Sequence, residues 1–237
     1  MHLAELAAKE GIDLAGSAVR AVIVAGEPGG CIDATRDRIE NVWGARVFDH
    51  YGMTEVGPVA VECADAPRQM ALLESEYLVE VIDPDGDSPA PEGQIGELVL
   101  TNLGRAGCPL IRYRTGDLVR VSSSPTQPFR TLVGGILGRT DDMIHVRGNN
   151  LYPGSLEAVI RRFPEVAEYR IVVDRSGPLT DLRIEIEPNE SANGSVLAEA
   201  VARAVRDDLL FRVDVTAVAF GSLPRFEMKA RRVVNRS

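Results

Sequence analysis

A tyrosine, a threonine and a glutamate fall within five residues in the segment Asp49-His50-Tyr51-Gly52-Met53-Thr54-Glu55. An aromatic ring can stack on a base, a hydroxyl can hydrogen-bond a phosphate, and a carboxylate can hold Mg2+. The same residues also make a polar exit from a strand, and the segment alone leaves both readings open. A second segment, Gly26-Glu27-Pro28-Gly29-Gly30, follows the β-branched run Val19 to Ala25. Glycine loops after buried strands admit phosphates or nucleotides, because backbone N–H groups approach without a Cβ in the way. This loop lacks the Walker A pattern, and a plain β–α turn is the alternative. Cysteine offers little: Cys31, Cys63 and Cys108 form no Cys-x-x-Cys, and no His stands at a ligand spacing from them. A zinc site or disulfide scaffold is therefore not expected, and Cys63 and Cys108 read as small apolar fillers. His145 reads as an exposed strand residue and His50 as filling space beside a pocket.

The elements that must carry these groups are legible in outline. Leu3, Leu6 and Ala7 recur at helical spacing before Gly11. Val19 to Ala25 reads as a parallel strand buried on both faces, residues 32 to 43 as a helix, and Ala45 to Phe48 as a short second strand. Together they form a βαβ unit. Alternating strands follow at Tyr77 to Ile82 and Ile95 to Leu100, then at Leu110 to Arg114 and Asp117 to Val121, as a mostly antiparallel, barrel-like segment. After Arg139 the pattern becomes β-α-β-β-α-β: Met143 to Val146, a helix from Pro153 to Phe163, Ala167 to Val173, Leu182 to Glu187, a helix from Ser195 to Phe211, and Val213 to Phe220. The fold class expected is α/β plus α+β, a partial large N-terminal domain over 1–138 and a small C-terminal domain over 139–237.

Composition bounds the function. The 237 residues carry 26 basic and 35 acidic side chains, a net charge of −9, which argues against a nucleic-acid partner. With 45% hydrophobic and 26% charged residues, disordered and fibrous classes are excluded. No apolar run approaches the ~18 residues of a membrane span, and the N-terminus is charged too early for a signal peptide. A cytoplasmic protein without a membrane partner is expected. Of the 26 basic residues only Lys9 and Lys229 are lysine.

The motifs stand in a telling order. Asp-x-Tyr-Gly-x-Thr-Glu, Glu62-Cys63, Tyr113-Arg114-Thr115-Gly116-Asp117, Gly138-Arg139-Thr140-Asp141-Asp142-Met143, Val146-Arg147-Gly148-Asn149 and Leu223-Pro224-Arg225-x-x-x-Lys229-Ala230 follow one another along the chain. In this the chain, over nearly its whole length, resembles the C-terminal half of members of the adenylate-forming superfamily and, within it, of the phenylacetate-CoA ligases. The resemblance implies that Glu27 and Pro28 lie beside adenine, that Tyr51 packs on it, that Thr54 contacts the α-phosphate, and that Glu55 binds Mg2+. Asp117 would hold the ribose hydroxyls and Arg139 ribose or phosphate. Asp141 would be the hinge of a mobile C-terminal lid, and Gly148 would let the pantetheine of coenzyme A pass. Lys229 would bridge the acyl carboxylate and the α-phosphate during adenylation.

The substrates so implied are ATP, CoA and an aromatic or other small carboxylic acid, giving acyl-CoA, AMP and pyrophosphate by way of an acyl-adenylate. The family's Ser/Thr/Gly-rich phosphate loop has no counterpart here. A truncated or split form with weak activity alone is therefore expected, with a homodimer or a complementing N-terminal half as possible partner. Two alternatives stand beside it: a non-catalytic nucleotide- or partner-binding remnant, and an adenylate-former that transfers to a carrier protein or other acceptor.

Overall fold

The computed structural model describes residues 2–26, 30–124, 127–177, 180–226 and 231–236. The chain divides into two compact units, Met1–Asp141 and Asp142–Ser237. Among the described residues no helix is long and apolar enough to cross a membrane.

The first unit runs α1 (His2–Lys9), β1 (Ala21–Ala25), α2 (Asp33–Trp43), β2 (Arg46–Met53), β3 (Gly57–Cys63), β4 (Ala66–Leu72), β5 (Tyr77–Ile82), β6 (Ile95–Asn102), β7 (Tyr113–Ser122) and β8 (Thr131–Arg139). Its strands form one sheet in the order β1-β2-β3-β4-β8-β7-β6-β5. Among its described strands only β1 and β2 pair in parallel, as the connection through α2 requires; the hairpin-linked strands are antiparallel. The βαβ unit and the antiparallel strands thus share a sheet rather than following one another as separate pieces. Leu72, Leu98, Leu100, Val119 and Leu132 are fully buried at its centre. Each such side chain contributes about 2 kcal/mol by leaving water.

Three expectations for this unit need correction. β1 is an edge strand and is not buried on both faces: its residues alternate between exposed and half-buried, and Ile23 is 71% exposed. β2 runs on to Met53, so Asp49 to Met53 belong to the strand and only Thr54 and Glu55 to the turn beyond. Leu110 to Arg114 and Asp117 to Val121 are not two strands, because β7 runs unbroken from Tyr113 through a bulge. β3, β4 and β8 were not anticipated.

The second unit comprises β9 (Ile144–Val146), β10 (Asn149–Leu151), α3 (Pro153–Ile160), β11 (Val166–Asp174), β12 (Asp181–Pro188), α4 (Gly194–Leu209), β13 (Asp214–Ala217) and β14 (Val233–Arg236). Its main sheet has the order β13-β12-β11-β14, with β9 and β10 as a separate hairpin. The Asn193 side chain caps α4 by accepting from the Val196 N–H at 3.3 Å. Leu197, Ala198, Val201 and Val205 turn inward from that helix onto Ile171, Ile184 and Ile186 of the sheet. Proline opens α3, where its missing N–H costs no hydrogen bond. β10 and β14 are additions to the expected order.

Candidate functional site

The geometry of the site begins with a bulge. β6 and β7 pair Glu97 with Leu118 and then Val99 with Arg114, so Thr115, Gly116 and Asp117 stand opposite Leu98 alone. Such a bulge re-aims side chains that a regular ladder would send up or down. Gly116 supplies the turn, with φ +76°, and a Cβ there would lie 2.9 Å from Nη2 of Arg139. The Thr115 hydroxyl donates to the Leu98 carbonyl at 2.8 Å and accepts from the Asp117 N–H at 3.0 Å.

The bulge delivers Asp117 to two donors. The Tyr51 hydroxyl donates to its Oδ2 at 2.5 Å, and Nη1 of Arg139 donates to its Oδ1 at 3.0 Å. Arg139 also donates from Nε to Asp141 at 2.8 Å. The sheet therefore brings Tyr51, Asp117, Arg139 and Asp141 into one cluster. Asp117 is 6% exposed, and burial raises its carboxyl above the usual aspartate range against the pull of Tyr51 and Arg139. Burial and the Asp117 carboxylate together push the Tyr51 phenol far up, so it stays a donor at all working pH. The Arg139 guanidinium holds Asp141 low and ionised. Among the described residues each Asp117 oxygen has one protein donor and lone-pair capacity beyond it, which suits it to accept two hydroxyls of a ligand.

Thr54 and Glu55 occupy the tight turn between β2 and β3, both exposed. The turn is fixed from beneath: Arg105 donates to the Glu55 carbonyl at 2.8 Å, and the Tyr77 hydroxyl to that of Val56 at 2.7 Å. Gly52 is required where the hairpin closes, since a Cβ there would lie 2.5 Å from the Gly57 carbonyl. Among the described residues no cluster of three or more His, Cys, Asp or Glu could cage a metal ion. Glu27 and Pro28 lie outside the described residues.

A buried network behind the site has no counterpart in the sequence reading. Arg36 of α2, 3% exposed, donates to both oxygens of Glu62 at 2.6 and 2.8 Å and to the Val47 carbonyl. Glu62 also accepts from the N–H groups of Asp49 at 3.0 Å and Arg68 at 2.7 Å. The signal was present: Ile32, Arg36, Ile39 and Trp43 lie on one helical stripe, and an arginine there needs a buried acid. Next to it the Cys31 thiol donates to Asp49 at 3.0 Å, in space left by Gly135, whose Cβ would strike the sulfur. Burial and the Asp49 carboxylate push this thiol far up, so it is no nucleophile. Nδ1 of His50 is buried with no hydrogen-bond partner among the described residues. Cys108 is exposed, which corrects its reading as a core filler.

In the second unit, Arg147 and Gly148 form the two-residue turn between β9 and β10, with φ of +49° and +79°. Both values fit the mirror-image turn that favours glycine. Nothing lies within 4 Å of a Cβ built on Gly148, so conformation rather than crowding demands glycine here. His145 is exposed, as expected. Lys229 lies outside the described residues. Arg225 donates to the fully buried Glu187, and Arg232 donates to Glu168 at 2.7 Å. Against its burial, the Arg225 guanidinium and the Gly221 and Leu223 N–H groups hold Glu187 down to about 2.

Comparison with known proteins agrees with this arrangement. Residues 1–106 match the family profile of AMP-binding enzymes, and residues 148–237 match that of the AMP-binding enzyme C-terminal domain. The chain is 35% identical to a phenylacetate-coenzyme A ligase of Thermus thermophilus, over 98% of this chain and 57% of that protein. It is 33% identical to the enzyme of the same name from Escherichia coli, over 97% of this chain and 54% of that one. A crystal structure of 2-hydroxyisobutyryl-CoA ligase in the postadenylation state superimposes with a TM-score of 0.91 at 32% identity, over 99% of this chain and 52% of that one. The chain thus spans about half the length of the relatives it matches. A Tyr51–Asp117–Arg139 cluster on a mixed sheet, a small α+β unit after it and matches at both ends of the chain agree, and the chain belongs to the AMP-binding, adenylate-forming enzyme family, corresponding to about half of a phenylacetate-CoA ligase-like member.

Proposed function

We propose that this chain supplies the nucleoside-binding face and the lid of an AMP-forming acid–CoA ligase acting on an aromatic or other small carboxylic acid in the cytoplasm. The observation that carries the reading is the Asp117 carboxylate, nearly buried yet held, among the described residues, by one donor on each oxygen. In the reaction, a carboxylate oxygen of the acid attacks the α-phosphorus of ATP and pyrophosphate leaves. The CoA thiol then attacks the acyl carbon of the adenylate and AMP leaves. Asp117 accepts the two ribose hydroxyls, the Tyr51 ring packs on adenine, and Thr54 donates to the α-phosphate from its exposed turn. Glu55 on the same turn suits an Mg2+ ion held mainly by phosphate oxygens, which would neutralise charge developing on them. Residues 1–138 act as the partial adenylation domain and 139–237 as the lid, with Asp141 as hinge. Lys229 offsets the repulsion of two approaching anions, and Gly148 leaves room for pantetheine along the β9–β10 turn.

The exposed edge of β1, with Ile23 outward, supports a second element of this reading. The part of such a ligase that carries the phosphate loop, on this polypeptide or on a complementing one, packs there and completes adenylation, since positioning and charge neutralisation dominate such chemistry. Two measurements test the reading. Calorimetry should show AMP binding that Asp117→Ala weakens, and unaltered affinity in that variant would remove the ribose assignment. Pyrophosphate release from phenylacetate, ATP and CoA should be weak with these 237 residues alone; robust turnover would overturn the dependence on the part that carries the phosphate loop.

A further inference from the structure

We infer that Glu97 is a positioning residue for the nucleotide site, its buried carboxylate holding the Thr115–Asp117 bulge in the conformation that presents Asp117 to a ligand. The inference rests on the ribose reading of Asp117 and adds a residue that the motifs did not single out. In a bulge the ladder loses its regular hydrogen bonds, and the freed backbone groups must find other partners. Here Oε1 of Glu97 accepts the Gly116 N–H at 3.1 Å, while Oε2 accepts from Nε of Arg114 at 2.9 Å. The Glu97 side chain is 4% exposed and that of Arg114 45%, so the acid is the fixed point and the arginine its solvent-side cover.

Gly116 is the residue whose conformation most needs fixing. Glycine visits both signs of φ with ease, so without an anchor its peptide planes can turn and carry Asp117 away. The same glycine carbonyl accepts the Thr140 N–H at 2.8 Å, one residue beyond Arg139. Nη1 of Arg139 reaches the Thr115 carbonyl at 3.4 Å. A single bulge therefore sets both the carboxylate and the guanidinium of the cluster, and Glu97 is the side chain that fixes the bulge from the β6 side. An ordinary structural ion pair would need no bond to the one backbone N–H that turns Asp117.

AMP affinity by calorimetry, with thermal unfolding and amide hydrogen exchange alongside, tests this in the 237-residue chain. Glu97→Gln keeps an acceptor for the Gly116 N–H and loses the ion pair. It should keep AMP affinity within about threefold even if it melts earlier. The double variant Glu97→Met/Arg114→Met removes the acceptor without leaving a buried charge unpaired, so it should fold. It should lose AMP affinity at least about tenfold, and the Gly116 amide should lose its exchange protection. Full AMP affinity in the folded double variant, with Asp117→Ala having lost it, would overturn the positioning role and leave the site intact. If Asp117→Ala itself binds AMP like the unaltered chain, the ribose reading fails and the positioning role fails with it.

Discussion

Glu62 and Asp117 are carboxylates of one sheet, both nearly buried, and burial works against ionisation in each; they end on opposite sides of the usual carboxylate range. For Glu62 the Arg36 guanidinium and two backbone N–H groups outweigh burial and hold the carboxyl low. For Asp117 burial prevails over Tyr51 and Arg139, and the carboxyl is raised. Glu62 is saturated by protein donors, whereas Asp117 keeps acceptor capacity that no hydrogen bond among the described residues fills. A saturated buried acid fastens elements together; an unsaturated one is held ready for an outside partner. The difference is one of donor count rather than of residue type or depth.

The hardest test of that contrast is Arg36→Ala, which strands Glu62 without its cation. It should cost about 3 to 5 kcal/mol in chemical denaturation. A loss under about 1 kcal/mol would remove the distinction between the two acids. Next comes Asp117→Ala, expected to leave the denaturation midpoint nearly unchanged while lowering AMP affinity about ten- to a hundredfold, the worth of hydrogen bonds to a charged group.

The pH dependence separates the pair by sign. Glu62, low in the folded chain, contributes stability above the ordinary carboxylate range, and that contribution disappears as pH falls through its folded value. Asp117 holds its proton to higher pH in the folded chain than in the unfolded one. Its contribution is full below the unfolded value and is lost as pH rises through the folded one. Glu62→Gln should flatten the acid side of a stability–pH curve, and Asp117→Asn should lift the neutral side relative to the acid side; the same direction from both variants would be inconsistent with these environments. Tyr51→Phe keeps the ring and deletes one donor, so AMP affinity should fall about fivefold, near 1 kcal/mol. The smallest effect belongs to Arg68→Ala, whose half-exposed side chain pairs with Asp33 and Asp37 in solvent. Its cost should stay below about 1 kcal/mol.

Much of this was legible in the residues, unevenly so. β5, β6, β11, β12 and α4 carry clear hydrophobic periodicity, and their sequence bounds differ from the structure by a few residues at most. β3 and β4 carry no clear strand signal, since Gly57-Pro58 and Pro67-Arg68-Gln69 interrupt the apolar alternation, while their pairing partners supply order that local sequence cannot. β7 was read as two strands because Thr115-Gly116 looks like a turn; a bulge uses the same chemistry inside a strand. The run at β1 is as apolar as a buried parallel strand, and the burial it advertises is absent here because β1 pairs on one side only. For the site, Tyr51, Asp117 and Arg139 sit in recognisable motifs. Of the buried groups behind them, Glu62 stands in the Glu62-Cys63 motif, but Glu97 depends on register and Arg36 on a helix stripe, which motifs do not record.

The sheet order places β8 between β4 and β7, and Gln69, Met70 and Ala71 pair with Val133, Leu132 and Thr131, about sixty residues later in the chain. During synthesis β4 must therefore wait with one side open while β5, β6 and β7 emerge. Contacts of such long separation slow folding and leave the waiting strand prone to pairing with another molecule. Pro67 and Arg68 at the start of β4 are the residue types that discourage such pairing. They act as gatekeepers in a transient state, and replacing them with β-branched residues should show first as aggregation during refolding.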